Sequence, residues 1–151
     1  MTIYDELVYF HEGEFKHPGM INPNILRYID KVRAMTGIPF IVTSDGRERG
    51  HNARIGGAKN SLHIFDVKEG LRCRAIDFVF PSRFYEHRGV RWNSFWKITA
   101  AVMKAADSLT VDGASLQPHV QFEIVHSEAD RHFHLGLFSD PVGPELIVAA
   151  D

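Results

Sequence analysis

The chain has 151 residues, 44% hydrophobic and 24% charged, with a formal net charge of -2. That suits one domain over 1–151 with a real core, and the lack of any block of like charge argues against nucleic acid or an anionic membrane as a partner. No apolar run is long enough to span a bilayer, so no membrane insertion is expected, and a single cysteine, Cys73, excludes an intrachain disulfide. Cys73 reads as a small buried residue. The start, Met1 to Glu6, has neither a basic n-region nor an apolar h-region, so the expectation is synthesis in a cytoplasm. We expect a monomer.

The aromatic stretch Tyr9 to Phe15 has no regular period and is expected to pack as a collar or lid. Asn22-Pro23-Asn24 is a helix start, with a polar cap and a proline near the first turn. Ile25, Leu26, Ile29, Val32 and Met35 recur at helical spacing, and Gly37 ends the run. Phe40 to Thr43 reads as a buried strand. Ser44 to Asn60 is polar and glycine-rich, too long for a turn, and loops of that length in compact domains tend to be functional.

Arg74 to Phe80 reads as a second strand, stopped by Pro81. Trp92 to Leu109 is a second amphipathic helix, with Trp92, Phe95 and Trp96 assigned to the core. Val120 to Val125 alternates as a strand should, and Arg131 to Phe138 is its partner in a hairpin around Ser127 to Asp130. The tail from Pro141 reads as irregular. These elements make an α+β fold with a small, mainly antiparallel sheet and flanking helices.

Nine histidines are many for this length. His63 follows the long loop and Asp77 lies on the next strand. His132 and His134, two apart on a strand, share one face. Two imidazoles and a carboxylate are a ligand set for zinc with an open position for water. On spacing alone these residues are as readily ordinary polar positions as a metal set. His126 reads equally as a cleft residue or a surface one. His11, His17, His87 and His119 carry no motif.

The run Ile41-Val-Thr-Ser-Asp-Gly-Arg47, then His51-Asn52-Ala-Arg-Ile-Gly56-Gly57-Ala-Lys-Asn60-Ser61-Leu-His63, resembles the zinc D-Ala-D-Ala carboxypeptidases and murein peptidases of the M15 family. The resemblance runs from about Phe10 to Phe138 and is most specific from Thr43 to His63. It implies the hedgehog/DD-peptidase fold, a zinc cofactor held by His63, Asp77 and His134, and a peptidoglycan peptide as partner. Arg47 matches the arginine that holds a substrate carboxylate or carbonyl. His132 matches a histidine beside the metal that can bond the reacting carbonyl, and Ser61 a supporting serine.

This chain departs from the family pattern at three places. The segment between His63 and Asp77 is longer than usual, an insertion around Phe65 to Arg72 whose Asp66 and Glu69 read as a calcium site, a cover for the cleft or, preferably, a solvated loop. The turn reads Ser44-Asp45-Gly46-Arg47 where the family has Ser-Gly-x-Arg. The position three before the last ligand, where many members carry the catalytic acid, is Arg131, so the acid matches Glu128, as in the hedgehog signalling domain. Asp130 and Glu123 are its competitors.

The implied activity is hydrolysis of a peptidoglycan stem-peptide bond next to a D-amino acid, as a carboxypeptidase or as an endolysin-type endopeptidase acting on the wall in phage or prophage lysis or after export by another route. The alternatives are a zinc-binding interaction module without activity and a virion structural protein.

Overall fold

The computed structural model describes the backbone of residues 1–81, 88–108, 110–111, 114–115, 117–124, 132–138 and 145–150, and the side chains of 1–81, 96–108 and 132–137. The collar is wider than the expected Tyr9 to Phe15: residues 3–20 form it, with three single turns of 3-10 helix, Ile3–Asp5, Glu12–Glu14 and Pro18–Met20. It is anchored rather than loose. Phe10 and Phe15 are buried, and Asp30 accepts from the backbone N–H groups of Val8 and Tyr9 at 3.2 and 2.8 Å.

Helix α1, Pro23–Thr36, starts where the sequence places it. Asn22 caps it, its side chain accepting from the Asn24 N–H at 2.8 Å, with Pro23 in the first turn. It stops at Gly37, whose φ of 66° lies in the left-handed region that glycine adopts without a Cβ penalty. Ile25, Leu26, Ile29 and Val32 form its buried face.

Strand β1, Ile41–Ser44, alternates between exposed and half-buried positions. It is an edge strand, not the fully buried one expected, and the buried aromatic is Phe40, just before it. The long polar segment also holds more structure than a loop: β2, Arg47–Glu48, and a short helix α2, Arg49–Arg54. Strand β3, Ile64–Phe65, pairs parallel with β2. The insertion after it is a tight hairpin closed by the Asp66–Leu71 bridge. Its acids do not line the cleft and are paired with a guanidinium. Arg49 binds Asp66 at 3.2 Å and Glu69 at 3.0 Å, and Asp66 also accepts from the N–H groups of Lys68 and Glu69.

Strand β4, Ala75–Val79, and helix α3, Arg88–Ser108, follow. Next come the short pair β5, Thr110–Val111, and β6, Ala114–Ser115, then the longer strands β7, Gln117–Ile124, and β8, His132–Phe138. The described part of the tail is not irregular. Glu145–Ala150 forms a strand, β9, parallel to β7. The main sheet runs β1-β4-β8-β7-β9 and is antiparallel except at that last pair. It is the expected α+β arrangement with a mainly antiparallel sheet.

The two faces of the sheet divide by parity. Ile76, Phe78, Phe80, Phe133, Leu135 and Leu137 are buried in one cluster with α1 and α3, where Phe78 stacks on Phe40 at 4.1 Å between ring centroids. On α3, Ile98, Ala101, Val102 and Ala105 face that cluster. Trp96 does not, with 61% of its surface exposed. At 3.6 residues per turn it lies about 200° around the helix from Ile98, on the opposite side. The side chains of Trp92 and Phe95 lie outside the described residues. Buried Tyr28 on α1 donates to the Val102 carbonyl at 3.0 Å and joins the two helices. No described helix is long and apolar enough to cross a membrane.

Candidate metal centre

The second face of the sheet carries the polar residues. In β8 the sequence His-Phe-His-Leu-Gly-Leu alternates strictly, so burying Phe133 and Leu135 against the helices turns His132, His134 and Gly136 the other way. Asp77 pairs with His134 across the β4–β8 ladder, and directly opposed residues point to the same face. A slip of one residue would exchange His134 for Phe133 and abolish the site.

His63 reaches this face from the turn before β3. Its Nε2 lies 3.1 Å from Asp77 Oδ1 and 3.1 Å from His134 Nδ1, and those two atoms are 2.9 Å apart. Three ligand atoms from three segments thus form a nearly equilateral triangle. His132 stands beside it, with Nε2 3.9 Å from the other carboxylate oxygen of Asp77.

The bonding of His63 decides what the triangle can hold. Its Nδ1 lies 2.6 Å from the backbone carbonyl of Asp45. A carbonyl only accepts, so Nδ1 carries the hydrogen and, in the neutral ring, Nε2 offers a lone pair. That lone pair points at a carboxylate oxygen and another ring nitrogen. Such a cluster needs positive charge at its centre, from a proton or a cation. A tetrahedral ion with ligands at ~2.0–2.1 Å holds its donors about 3.3 Å apart, close to the observed edges, so the donor set and its spacing fit a zinc ion. A backbone carbonyl holding the second ring nitrogen is also the usual support for a metal-binding histidine. Burial alone would raise the Asp77 carboxyl, but where the positive charge is a proton on the His134 and His63 rings, their hydrogen bonds to Asp77 outweigh burial and hold it well below the usual carboxylate range.

Arg47 approaches from the first position of β2. Its backbone N–H donates to the His63 carbonyl at 2.7 Å. Its guanidinium lies 3.4 Å from Ser61 Oγ, while its buried Nε has no hydrogen-bond partner among the described residues. Ser61 Oγ in turn accepts from the His63 N–H at 3.3 Å. The loop before it is closed by buried Asn52, which donates to the Ala58 carbonyl at 3.0 Å. Arg47 lines a cleft of about 540 Å³ together with Lys16, Ser44, His51 and Arg54. None of the three candidate ligands lines it. It abuts them from the β1 side, since Asp45 lies in its wall and Ser44 pairs with Asp77.

A family model described as Peptidase M15 matches residues 9–102. The chain belongs to the Peptidase M15 family. No curated protein and no solved structure matches it. The M15 match takes in His63, Asp77 and Arg47 but stops before β8, so it is the strand pairing that brings His134 to the other two. Glu128, Asp130 and His126 lie outside the described residues, as does the side chain of Glu123, whose backbone pairs with His132. Two residues that the motif reading left without a role belong to the neighbourhood of the site: Asp45, whose carbonyl holds His63, and His17, which holds Asp45. The signal for Asp45 was its place in the turn, where it breaks the family's Ser-Gly-x-Arg pattern.

Proposed function

We propose that this chain is a zinc-dependent peptidase that cleaves a peptidoglycan stem-peptide bond next to a D-amino acid. The observation that carries the proposal is the triangle of His63, Asp77 and His134 ligand atoms, in a chain of the Peptidase M15 family. His63, Asp77 and His134 would hold the ion, which when bound supplies a Lewis acid and lowers the pKa of a water to about 7.

The remaining work falls to four other side chains. Arg47 holds a substrate carboxylate or carbonyl with its forked, permanently charged guanidinium, and Ser61 steadies it. His132, beside Asp77, donates to the reacting carbonyl oxygen as negative charge develops there. Glu128 is the general base that accepts the proton of the attacking water and passes it to the leaving amine. Whether the bond is terminal or internal depends on whether the cleft is closed beyond Arg47. A closed end suits a carboxypeptidase and an open groove an endopeptidase.

The test is mass spectrometry of purified peptidoglycan after incubation with zinc-loaded protein, with a chelated control. We expect new fragments whose masses identify the bond and which disappear with chelator. No cleavage across several wall chemistries would sink the proposal and leave a zinc-bearing interaction module or virion scaffold as the reading.

A further inference from the structure

The turn that orients His63 is held by a buried carboxylate. Asp45 occupies the place where the M15 pattern has glycine, and its side chain is only 2% exposed. Burying a carboxylate is costly unless it is paired and hydrogen-bonded. Among the described residues, both partners of the Asp45 carboxylate come from His17: its backbone N–H donates to Oδ2 at 2.8 Å, and its Nδ1 lies 3.1 Å from Oδ1. The carbonyl of the same Asp45 binds His63 Nδ1 at 2.6 Å.

The contacts close on themselves. The His17 ring packs on Phe65 with centroids 5.1 Å apart, and Phe65 lies with Ile64 on β3, directly after His63. Phe65 also presses on the turn: a Cβ added to Gly46 would meet its Cδ1 at 2.7 Å. The turn is therefore gripped by His17 on one side and Phe65 on the other.

We propose that Asp45, clamped by His17, is a positioning residue for the metal ligand His63, and that through it the N-terminal collar sets the geometry of the metal centre. The inference rests on the metal reading above. The held carboxylate and the carbonyl that fixes His63 belong to one residue, so what anchors the first also anchors the second. The clamp acts on where the imidazole points, so its loss shows in metal affinity, in the 10–100-fold range found when the support of a metal ligand is removed.

The experiment measures zinc affinity of the full chain by competition with a chelator, alongside the thermal midpoint of the metal-free protein. Asp45→Ala should weaken zinc binding at least ~10-fold, and Asp45→Asn, which keeps an acceptor for the His17 N–H, should lie nearer the wild type. A lower midpoint with a smaller loss of affinity would make the clamp merely structural and overturn the inference, as would the reverse order of the two variants. If Asp45→Ala does not fold, His17→Phe decides, since it keeps a ring against Phe65 but removes Nδ1. It should bind zinc several-fold more weakly, and unchanged affinity would overturn the inference. A wild-type protein that binds no zinc would overturn the metal reading and this inference with it. Zinc bound equally by wild type and variants would overturn this inference alone.

Discussion

The two nitrogens of His63 do different jobs. Nδ1 is committed to the Asp45 carbonyl, and only Nε2 is left to face Asp77 and His134. The carboxylate is the one negative charge in that triangle, so it should dominate the attraction for a divalent cation. Asp77→Asn keeps the shape and removes the charge. It should lower zinc affinity by more than ~100-fold, beyond what loss of a supporting hydrogen bond costs. Metal analysis after dialysis would check this, and a variant that still held one zinc per chain would remove Asp77 from the ligand set. Arg47 makes a different kind of contribution. Arg47→Lys keeps the charge but loses the fork, and should raise KM about tenfold or more while zinc content stays unchanged, because a charged hydrogen bond is worth ~1.5–3 kcal/mol. A change in kcat with KM intact would move Arg47 from binding the substrate to stabilising the transition state.

At the scale of elements, β8 depends on Gly136 as much as on its histidines. A Cβ there would meet Leu62 Cδ1 at 2.7 Å, His134 Nε2 at 3.2 Å and the Arg74 carbonyl oxygen at 3.3 Å. Leu62 is a flexible side chain and can give way, but the Arg74 carbonyl is backbone and is tied to the Leu137 N–H at 2.9 Å. Gly136→Ala should therefore cost about 1–3 kcal/mol, the range for overpacking, read in urea denaturation, and should weaken zinc binding because one of the displaced atoms belongs to the candidate ligand His134. Equal stability would show that the strand relaxes there. The alternation that forces this arrangement was legible in the residues themselves, as were the cap and stop of α1, because each depends on neighbours in sequence. What escaped depends on distant ones. Helix α2 buries only Asn52 and includes Gly50, so it leaves no apolar period to read. Strand β9 follows Pro141, Gly143 and Pro144, which read as loop, and exists by pairing with β7. Trp96 was assigned to the core by its aromatic character, although its angle on α3 directs it outward. The clamp on Asp45 joins residues far apart in the chain, and no local pattern announces it.

For the molecule as a whole, burial among the described residues holds acidic protons in place, Cys73 and Tyr28 being the two most deeply buried. Cys73 is wholly buried, and burial, with the nearby Asp45 charge, pushes its thiol up to about 12. Burial likewise raises the Tyr28 phenol, which donates to the Val102 carbonyl between α1 and α3. Both groups have a higher pKa folded than unfolded. Their contribution is full below the unfolded values, near ~8.5 for the thiol and ~10 for the phenol, and is lost as pH rises toward the folded ones, because the unfolded chain then releases protons that the folded chain keeps. Stability to urea should thus fall steadily above pH ~9. Tyr28→Phe should flatten the upper part of that fall while costing about 1 kcal/mol at neutral pH for the lost hydrogen bond. The same burial should protect Cys73 from alkylation at pH 8 in the folded protein, since the thiolate is the nucleophile. Its rate of modification should then report global unfolding, rising with urea in step with the loss of structure. Rapid alkylation without denaturant would show that the core between the collar and β4 opens locally, and the collar would then be too loose to set the position of His63.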